Sequence, residues 1–373
     1  MTGSPEFPPV TGAWRAGNPP GRRQWLAVDR PLRLEAGELP ACTIAYETWG
    51  RLNSDASNAV LVEHALTGDS HAAGAAGPGH PSPGWWDGLI GPGRALDTGE
   101  LFVVVPNVLG GCQGTTGPSS PDPDGKYWGS RFPQVSVRDQ VHAEAVLADA
   151  LGIERWALVT GGSMGGMRAL EWAATWPARV ESLLVLAAPA ASSAEQIAWA
   201  SPQLHAIRSD PGWRGGDYYD AAPGDGPHRG LGIARRIAHV TYRSEPELAG
   251  RFGRRRQAPG DGRFAVESYL DHHADKIVRR FDANSYLLLT GSMNTHDVGR
   301  DRGGAGEALS RITARTLVAG VDSDRLYPLH QARELAAGIP GAGEAAVISS
   351  PYGHDSFLIE TPQVAALVKS LLG

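Results

Sequence analysis

Trp156-Ala-Leu-Val-Thr-Gly-Gly-Ser163-Met-Gly-Gly-Met-Arg-Ala-Leu170 decides the reading of this chain. Its first half is a short apolar run of the kind a sheet covers on both faces, and its second half has the spacing of a helix. Between them lies G-x-S-x-G, as Gly161, Ser163 and Gly165. A strand that turns sharply into a helix needs small neighbours around a serine held in a strained backbone, and glycines on both sides provide that room. The turn lifts the hydroxyl above the sheet, and the helix N-terminus aims free N–H groups at developing negative charge. A glycine-rich turn with a merely capping serine would account for the glycines but not for this placement. Ser163 is therefore read as a nucleophile.

Working outward, short aliphatic or β-branched runs alternate with helical stretches, the pattern of an α/β, mostly parallel sheet flanked by helices. Strands are expected at Thr43–Thr48, Ala59–Glu63, Leu101–Pro106, Trp156–Thr160, Ser182–Leu186, Thr316–Ala319 and Ala345–Ser349. Helices are expected over Ser136–Leu151, Ser163–Trp176 (stopped by Pro177) and Thr361–Leu372. Ser136 with Asp139 resembles a helix start, although the usual capping-box partner is Glu or Gln. From 190 to 311 the alternation stops. Gly232–His239, Val266–Phe281 and Ala283–Leu289 read as helical, and Pro211–Gly230 and Pro259–Gly262 as loops. This is the pattern of a helical cap (190–311) inserted into a core formed by 22–189 and 312–373. Residues 1–21, rich in proline and glycine, read as a flexible lead-in.

A serine nucleophile needs a base, and the base an orienting acid. His354, in Ser-Ser-Pro-Tyr-Gly-His354-Asp355, lies in a loop after the last strand and before the last helix, the position a base requires. For the acid, Val-Asp322-Ser-Asp324-Arg-Leu-Tyr-Pro328 offers two carboxylates on the same side of an extended chain. Asp324 leads directly into the turn from which a carboxylate can reach His354, and is chosen; Asp322 is expected to stabilise that turn. The oxyanion-binding N–H groups are placed on Met164, after the nucleophile, and on Leu66, in the loop after Val60–Glu63. His64 in that loop has no partner at ligand spacing and is read as a structural hydrogen-bonding residue. His272-His273, with Asp271 and Asp275, could suggest a metal. Neighbours on a helix point about 100° apart, so a solvated helix is the better reading and no metal is expected. The cluster Arg251, Arg254, Arg255 and Arg256 reads as a solvated loop, with attraction of a phosphorylated substrate as the alternative.

Composition narrows the class. The 373 residues are 42% hydrophobic and 20% charged, which excludes wholesale disorder, and a net charge of −6 argues against a partner held by phosphate neutralisation. Two cysteines, Cys42 and Cys112, make neither a disulfide framework nor a cysteine zinc site, and point to a reducing, cytoplasmic setting. The longest apolar run, Leu183–Ala191, is about half of the roughly 20 residues a membrane helix needs, and the first residues lack a secretory pattern. No phosphate-loop or dinucleotide fingerprint is present.

Seven segments, in order from about residue 25 onward, resemble the homoserine O-acetyltransferases of the α/β-hydrolase superfamily. They are His64-Ala-Leu-Thr-Gly-Asp-Ser-His71, Trp85-Trp-Asp-Gly-Leu-Ile-Gly-Pro-Gly93, Asn107 to Pro118, Gly162-Ser-Met-Gly-Gly-Met167, Ala238-His-Val-Thr-Tyr-Arg243, Ser323 to Pro328 and Tyr352-Gly-His-Asp355. Arg168 departs from the pattern, since relatives often carry Gln there. The resemblance implies an α/β-hydrolase fold and acetyl transfer from acetyl-CoA, as substrate and not cofactor, to the hydroxyl of L-homoserine in methionine biosynthesis. It implies that Arg235 (with Arg236 as the alternative) holds the substrate carboxylate, that Tyr242 lies nearby, and that Asp355 meets the amine. It also implies a homodimer. The competing readings are an esterase or thioesterase with the same triad, a transferase using succinyl-CoA or serine, and a non-catalytic binding protein.

Overall fold

The computed structural model describes residues 7–258, 260 and 262–373. The first six residues of the expected lead-in, and residues 259 and 261 of the expected loop Pro259–Gly262, lie outside the described residues. In chain order the first part contains β1 (Gln24–Val28), β2 (Leu32–Leu34), β3 (Gly37–Leu39), β4 (Cys42–Trp49), β5 (Ala59–Glu63), β6 (Ile90–Gly91), β7 (Leu96–Asp97) and β8 (Phe102–Pro106). Next come α1 (Val137–Ala150), β9 (Leu158–Gly162), α2 (Met164–Thr175) and β10 (Ser182–Leu186). A helical insertion follows, comprising α3 (Ala194–Arg208), α4 (His228–Tyr242), α5 (Glu245–Arg251), α6 (Ala265–Val278), α7 (Ala283–Asn294) and α8 (Ala305–Ser310). The chain then returns to the sheet through β11 (Arg315–Val321), α9 (Leu329–Gly338), β12 (Ala346–Ile348), α10 (Ser356–Ile359) and α11 (Thr361–Leu372).

Eight strands form one sheet in the order β1-β4-β8-β5-β9-β10-β11-β12. Pairing is parallel from β8 to β12 and antiparallel at β1–β4 and β4–β8. Every residue of β5, β9 and β10 is buried, as strands covered on both faces must be. Successive side chains alternate between two cores. Leu61, Val159, Leu183 and Val185 join Val141 of α1 and Leu170 of α2 on one face, while Val60, Val62, Leu184 and Leu186 join Val364 and Val368 of α11 on the other. The mostly parallel sheet flanked by helices expected from the sequence is present. Ser136 caps α1 with a complete capping box, in which Asp139 accepts from the Ser136 N–H at 2.8 Å. The shorter Asp thus performs the reciprocal bond usually made by Glu.

The N-terminal segment differs from the loose path expected of it. Val10 and Ala13 are buried, the Thr11 hydroxyl donates to Asp282 Oδ1 at 2.7 Å, Gly12 N donates to Phe281 O at 3.1 Å, and Trp14 N donates to Cys112 O at 2.9 Å. A Cβ at Gly12 would stand 2.3 Å from Arg280 N, so only glycine allows this approach. Asp282 is the hub: it also accepts from the hydroxyls of Tyr218 at 2.6 Å and Tyr219 at 3.0 Å. Composition foretells flexibility only where no apolar side chains find partners, and here Val10 and Ala13 find them.

Candidate active site

The site begins where β9 meets α2. Ser163 has φ +58 and ψ −124, left-handed backbone that costs a non-glycine residue about 1–3 kcal/mol and persists only when its surroundings fix it. Two bonds do so: Ser163 N donates to Leu186 O, and Met167 N to Ser163 O, both at 3.0 Å. A Cβ on Gly165 would lie 2.1 Å from Glu63 O, and one on Gly161 2.6 Å from Gly165 C. Both glycines are therefore needed for the turn to sit against the end of β5. Ser163 is 6% exposed and lines a cavity of about 270 Å³ roofed by the helical insertion.

His354 reaches this cavity from the turn after β12. Its Nδ1 lies 2.7 Å from Asp324 Oδ2, while Asp324 Oδ1 accepts from Leu326 N at 2.8 Å and Tyr327 N at 2.9 Å. The carboxylate is an acceptor, so Nδ1 carries the proton and Nε2 bears the lone pair. That Nε2 is buried without a hydrogen-bond partner among the described residues. Burial works to lower the His354 pKa, but the Asp324 charge and hydrogen bond outweigh it and raise it above the ordinary histidine value. Asp322 is engaged elsewhere, accepting from Ser349 Oγ at 2.7 Å and Ser350 N at 3.1 Å. It ties β11 to the end of β12, and the turn it was expected to stabilise is held by Asp324 itself.

On the opposite side lies the loop after β5. His64 is buried; its Nε2 accepts from Val108 N at 3.1 Å, so its Nδ1 donates to Ala65 O at 2.8 Å. Burial and the nearby Arg168 depress the His64 pKa to about 3 and keep the ring neutral in this tautomer. Gly68 N donates to the same Ala65 oxygen at 2.8 Å. In a trans peptide the N–H points opposite to the C=O, so the Leu66 N–H faces away from these bonds. Leu66 and Ser163 line the same cavity, and Met164, the other expected donor, follows Ser163 directly at the start of α2. Arg168, one turn along α2, braces this arrangement. Its Nη1 lies 2.7 Å from Glu144 Oε1 and 3.0 Å from Glu63 Oε2, and its Nη2 donates to His64 O at 2.9 Å. Burial, with the Glu144 charge adding to it, pushes the Glu63 carboxyl well up against the pull of Arg168.

The insertion supplies the third wall. Arg235 of α4 donates from Nη1 to Thr67 Oγ1 at 3.2 Å, and its guanidinium lies 5.7 Å from the Tyr242 ring. Tyr242 in turn lies 5.8 Å from the His354 ring. Asp355 pairs with Arg243 at 3.3 Å; burial raises its pKa further than Arg243 and His354 lower it. The predicted Ser163, His354, Leu66, Arg235, Tyr242 and Asp355 thus line one cavity, with Asp324 behind His354. Arg236 does not join them; it pairs with Asp271 at 2.6 Å.

Several lining residues were missed. His239 shares one face of α4 with Arg235, a spacing visible in the sequence, and Arg243 directly follows that helix. His273 was assigned to a solvated helix, yet it lines the cavity, stacks on His239 with centroids 3.8 Å apart, and is lowered to about 4 by burial, Arg235 and other nearby cations. A second, smaller cavity of about 50 Å³ also reaches Ser163 and is lined by Gln196, Trp199, Gln203, Met293 and Tyr327 among others, none of them charged. Away from Ser163, Glu47, His71 and His80 place one ligand-type atom each within 4.8 Å of the others. The two rings stack 3.8 Å apart at 8°, and His80 Nε2 already accepts from Arg22 N at 2.9 Å, so their lone pairs do not converge on one ion.

The comparisons with known proteins match this geometry. The family model for the alpha/beta hydrolase fold matches residues 58–361. The chain is 68% identical over 369 residues, 98% of its length and 97% of the other, to the homoserine O-acetyltransferase of Thermobifida fusca. Among solved structures, the homoserine O-acetyltransferase from Bacillus anthracis superposes with a TM-score of 0.85 at 27% identity, covering 94% of this chain and 97% of that one. Esterase E22 superposes with a TM-score of 0.84 at 26% identity, covering 94% and 99%. The architecture is thus shared by enzymes of both names, whereas near-full-length identity of 68% separates them: the chain belongs to the homoserine O-acetyltransferase family of the α/β hydrolases.

Proposed function

We propose that this enzyme moves the acetyl group of acetyl-CoA to the hydroxyl of L-homoserine through an acetyl-serine intermediate, a step of methionine biosynthesis. His354 Nε2 takes the Ser163 hydroxyl proton, and Oγ attacks the thioester carbonyl carbon. The Leu66 and Met164 N–H groups receive the oxyanion, the C–S bond breaks, and the imidazolium returns its proton to the departing thiolate. The homoserine hydroxyl then gives its proton to Nε2 and attacks the acyl carbon, and Ser163 recovers that proton as the product ester leaves. Asp324 holds the imidazole in the working tautomer throughout. Acetyl-CoA is a substrate in this scheme, and no step calls on a metal. Residues 190–311 act as the cap over a core of 22–189 and 312–373.

One observation carries the choice of transferase over esterase: the cavity that Ser163 lines also holds a guanidinium, Arg235, and a carboxyl, Asp355, where hydrolysis needs neither. A free amino acid has a carboxylate for the first and an ammonium for the second. The uncharged cavity of about 50 Å³ beside Ser163 favours acetyl over succinyl, whose carboxylate would find no cation there. The deciding experiment is thiol release from acetyl-CoA with and without L-homoserine or L-serine. Strong acceleration by homoserine is expected; equal rates would establish the hydrolase. The reading includes a cytoplasmic homodimer, supported by the family resemblance and by two buried free thiols, Cys42 and Cys112.

A further inference from the structure

The joined cavities around Ser163 carry charge that the two reacting groups do not account for. A neighbouring cavity of about 100 Å³ shares Thr67, Gly68, Trp85, Lys276 and Arg280 with the catalytic one, but Ser163, Arg235, His354 and Asp355 do not line it. Together the two are lined by four cations (Arg235, Arg243, Lys276, Arg280) and two carboxylates (Asp69, Asp355), an excess of positive charge in a chain of net charge −6. Arg243 is spent on Asp355, while among the described residues Arg235, Lys276 and Arg280 form no ion pair. Burial lowers both Lys276 and Arg280; repulsion from Arg280 and Arg235 adds to it at Lys276, and repulsion from Arg235 at Arg280, where Asp69 pulls the other way. Such a group of cations is stabilised by a bound anion.

Position separates these cations from the acceptor's carboxylate. Arg235 stands beside Tyr242 and so close to His354, as a contact to a small amino acid requires. Lys276, in the last turn of α6, and Arg280, two residues beyond that helix, also line the adjoining cavity, which Ser163 and His354 do not. A small acceptor does not extend that far; the long acyl donor does. The Arg280 backbone is held in place, since its N–H bonds Ile277 O at 3.1 Å and its carbonyl accepts from Gln113 Nε2 at 2.8 Å. We propose that Lys276 and Arg280 form a subsite for the phosphate groups of the acyl donor, the exposed Lys276 as a mobile point charge at the mouth and the half-buried Arg280 as a planar fork on an anchored backbone.

This inference rests on acetyl-CoA being the donor, so the experiment uses two donors. Wild type, Lys276→Gln and Arg280→Gln are compared with acetyl-CoA and with S-acetylpantetheine, which has the same thioester but no phosphate, at several homoserine concentrations. The expected result is a fall of about tenfold per variant in the ratio of kcat/KM for acetyl-CoA to that for S-acetylpantetheine, the size of one charged hydrogen bond. Lys276→Arg is expected to restore most of the ratio. A ratio equal to wild type in both Gln variants overturns the proposal, and so does a rise in homoserine KM with the ratio intact, which would assign the cations to the acceptor. A wild type that releases no thiol from either donor refutes the acetyltransferase reading itself, and the subsite with it.

Discussion

Asp324→Asn is the sharpest test of how the site works, because the structure separates what the side chain builds from what it drives. Oδ1 accepts from Leu326 N and Tyr327 N, and an Asn oxygen in that position keeps both bonds and hence the turn. The amide nitrogen then faces His354 Nδ1 in place of the carboxylate 2.7 Å away. Two donors cannot face each other, so the imidazole moves its proton to Nε2, and the lone pair needed by Ser163 is lost. The expected cost is on the order of 10⁴ in turnover, or about 5.5 kcal/mol of barrier, in a variant that stays folded. Rapid-mixing measurement of thiol release in the first turnover, with and without homoserine, reads this on both half-reactions. The pH dependence adds a sign. In wild type Asp324 overcomes burial and raises the His354 pKa, so kcat/KM falls as pH drops through a value above that of an ordinary histidine. In Asp324→Asn burial is opposed only by the Asp355 charge, and the acid limb moves to lower pH. Asp322→Asn, whose carboxylate serves only Ser349 and Ser350, is expected to lose less than about tenfold. Comparable losses in the two variants, or a loss at Asp324 below about a hundredfold, would refute the tautomer argument.

Ser163→Ala is expected to remain folded and to form no acetyl adduct by intact-mass analysis after exposure to acetyl-CoA; an adduct would move the nucleophile elsewhere. Arg235→Ala should leave the first thiol burst close to that of wild type while raising homoserine KM by about a hundredfold, with Arg235→Lys recovering part of it. A parallel fall in both half-reactions would make Arg235 a packing residue of the cap. Arg168→Gln leaves a buried carboxylate without its cation and is expected to lower stability by about 3 kcal/mol in denaturant melts. Adding Glu144→Gln should return most of that loss; a double variant no better than the single one contradicts the pairing.

Strands with continuous apolar runs were readable because burial on both faces leaves little choice of residue: Ser182–Leu186 and Ala59–Glu63 have the limits expected from their sequences. The edge strand β1, whose Gln24 and Trp25 are exposed, has no such run and was not anticipated. Nor was α3, which contains Pro202 and is anchored instead by a capping box of Ser193 with Gln196. The placement of Ser163, Asp324 and His354 could be read because they sit after the ends of strands, where chain order constrains position. The rest of the wall could not. Lys276 and Arg280 come to the cavity only through the packing of α6 under α4, and His273 gives the same sequence pattern whether it faces solvent or the cavity.

The segment of residues 8–14 has a bearing on how substrates succeed one another. It stitches the Phe281–Asp282 junction of the insertion to Cys112 of the core, with Gly12 pressed against the Arg280 backbone. An insertion fastened in this way cannot swing like a hinged door without tearing those bonds. Water must then be expelled by the occupants themselves filling a rigid throat, rather than by a closing motion. In such a throat the spent thiol has to vacate before the amino acid can reach the acyl-serine, so the alternation of donor and acceptor is enforced by volume as much as by chemistry.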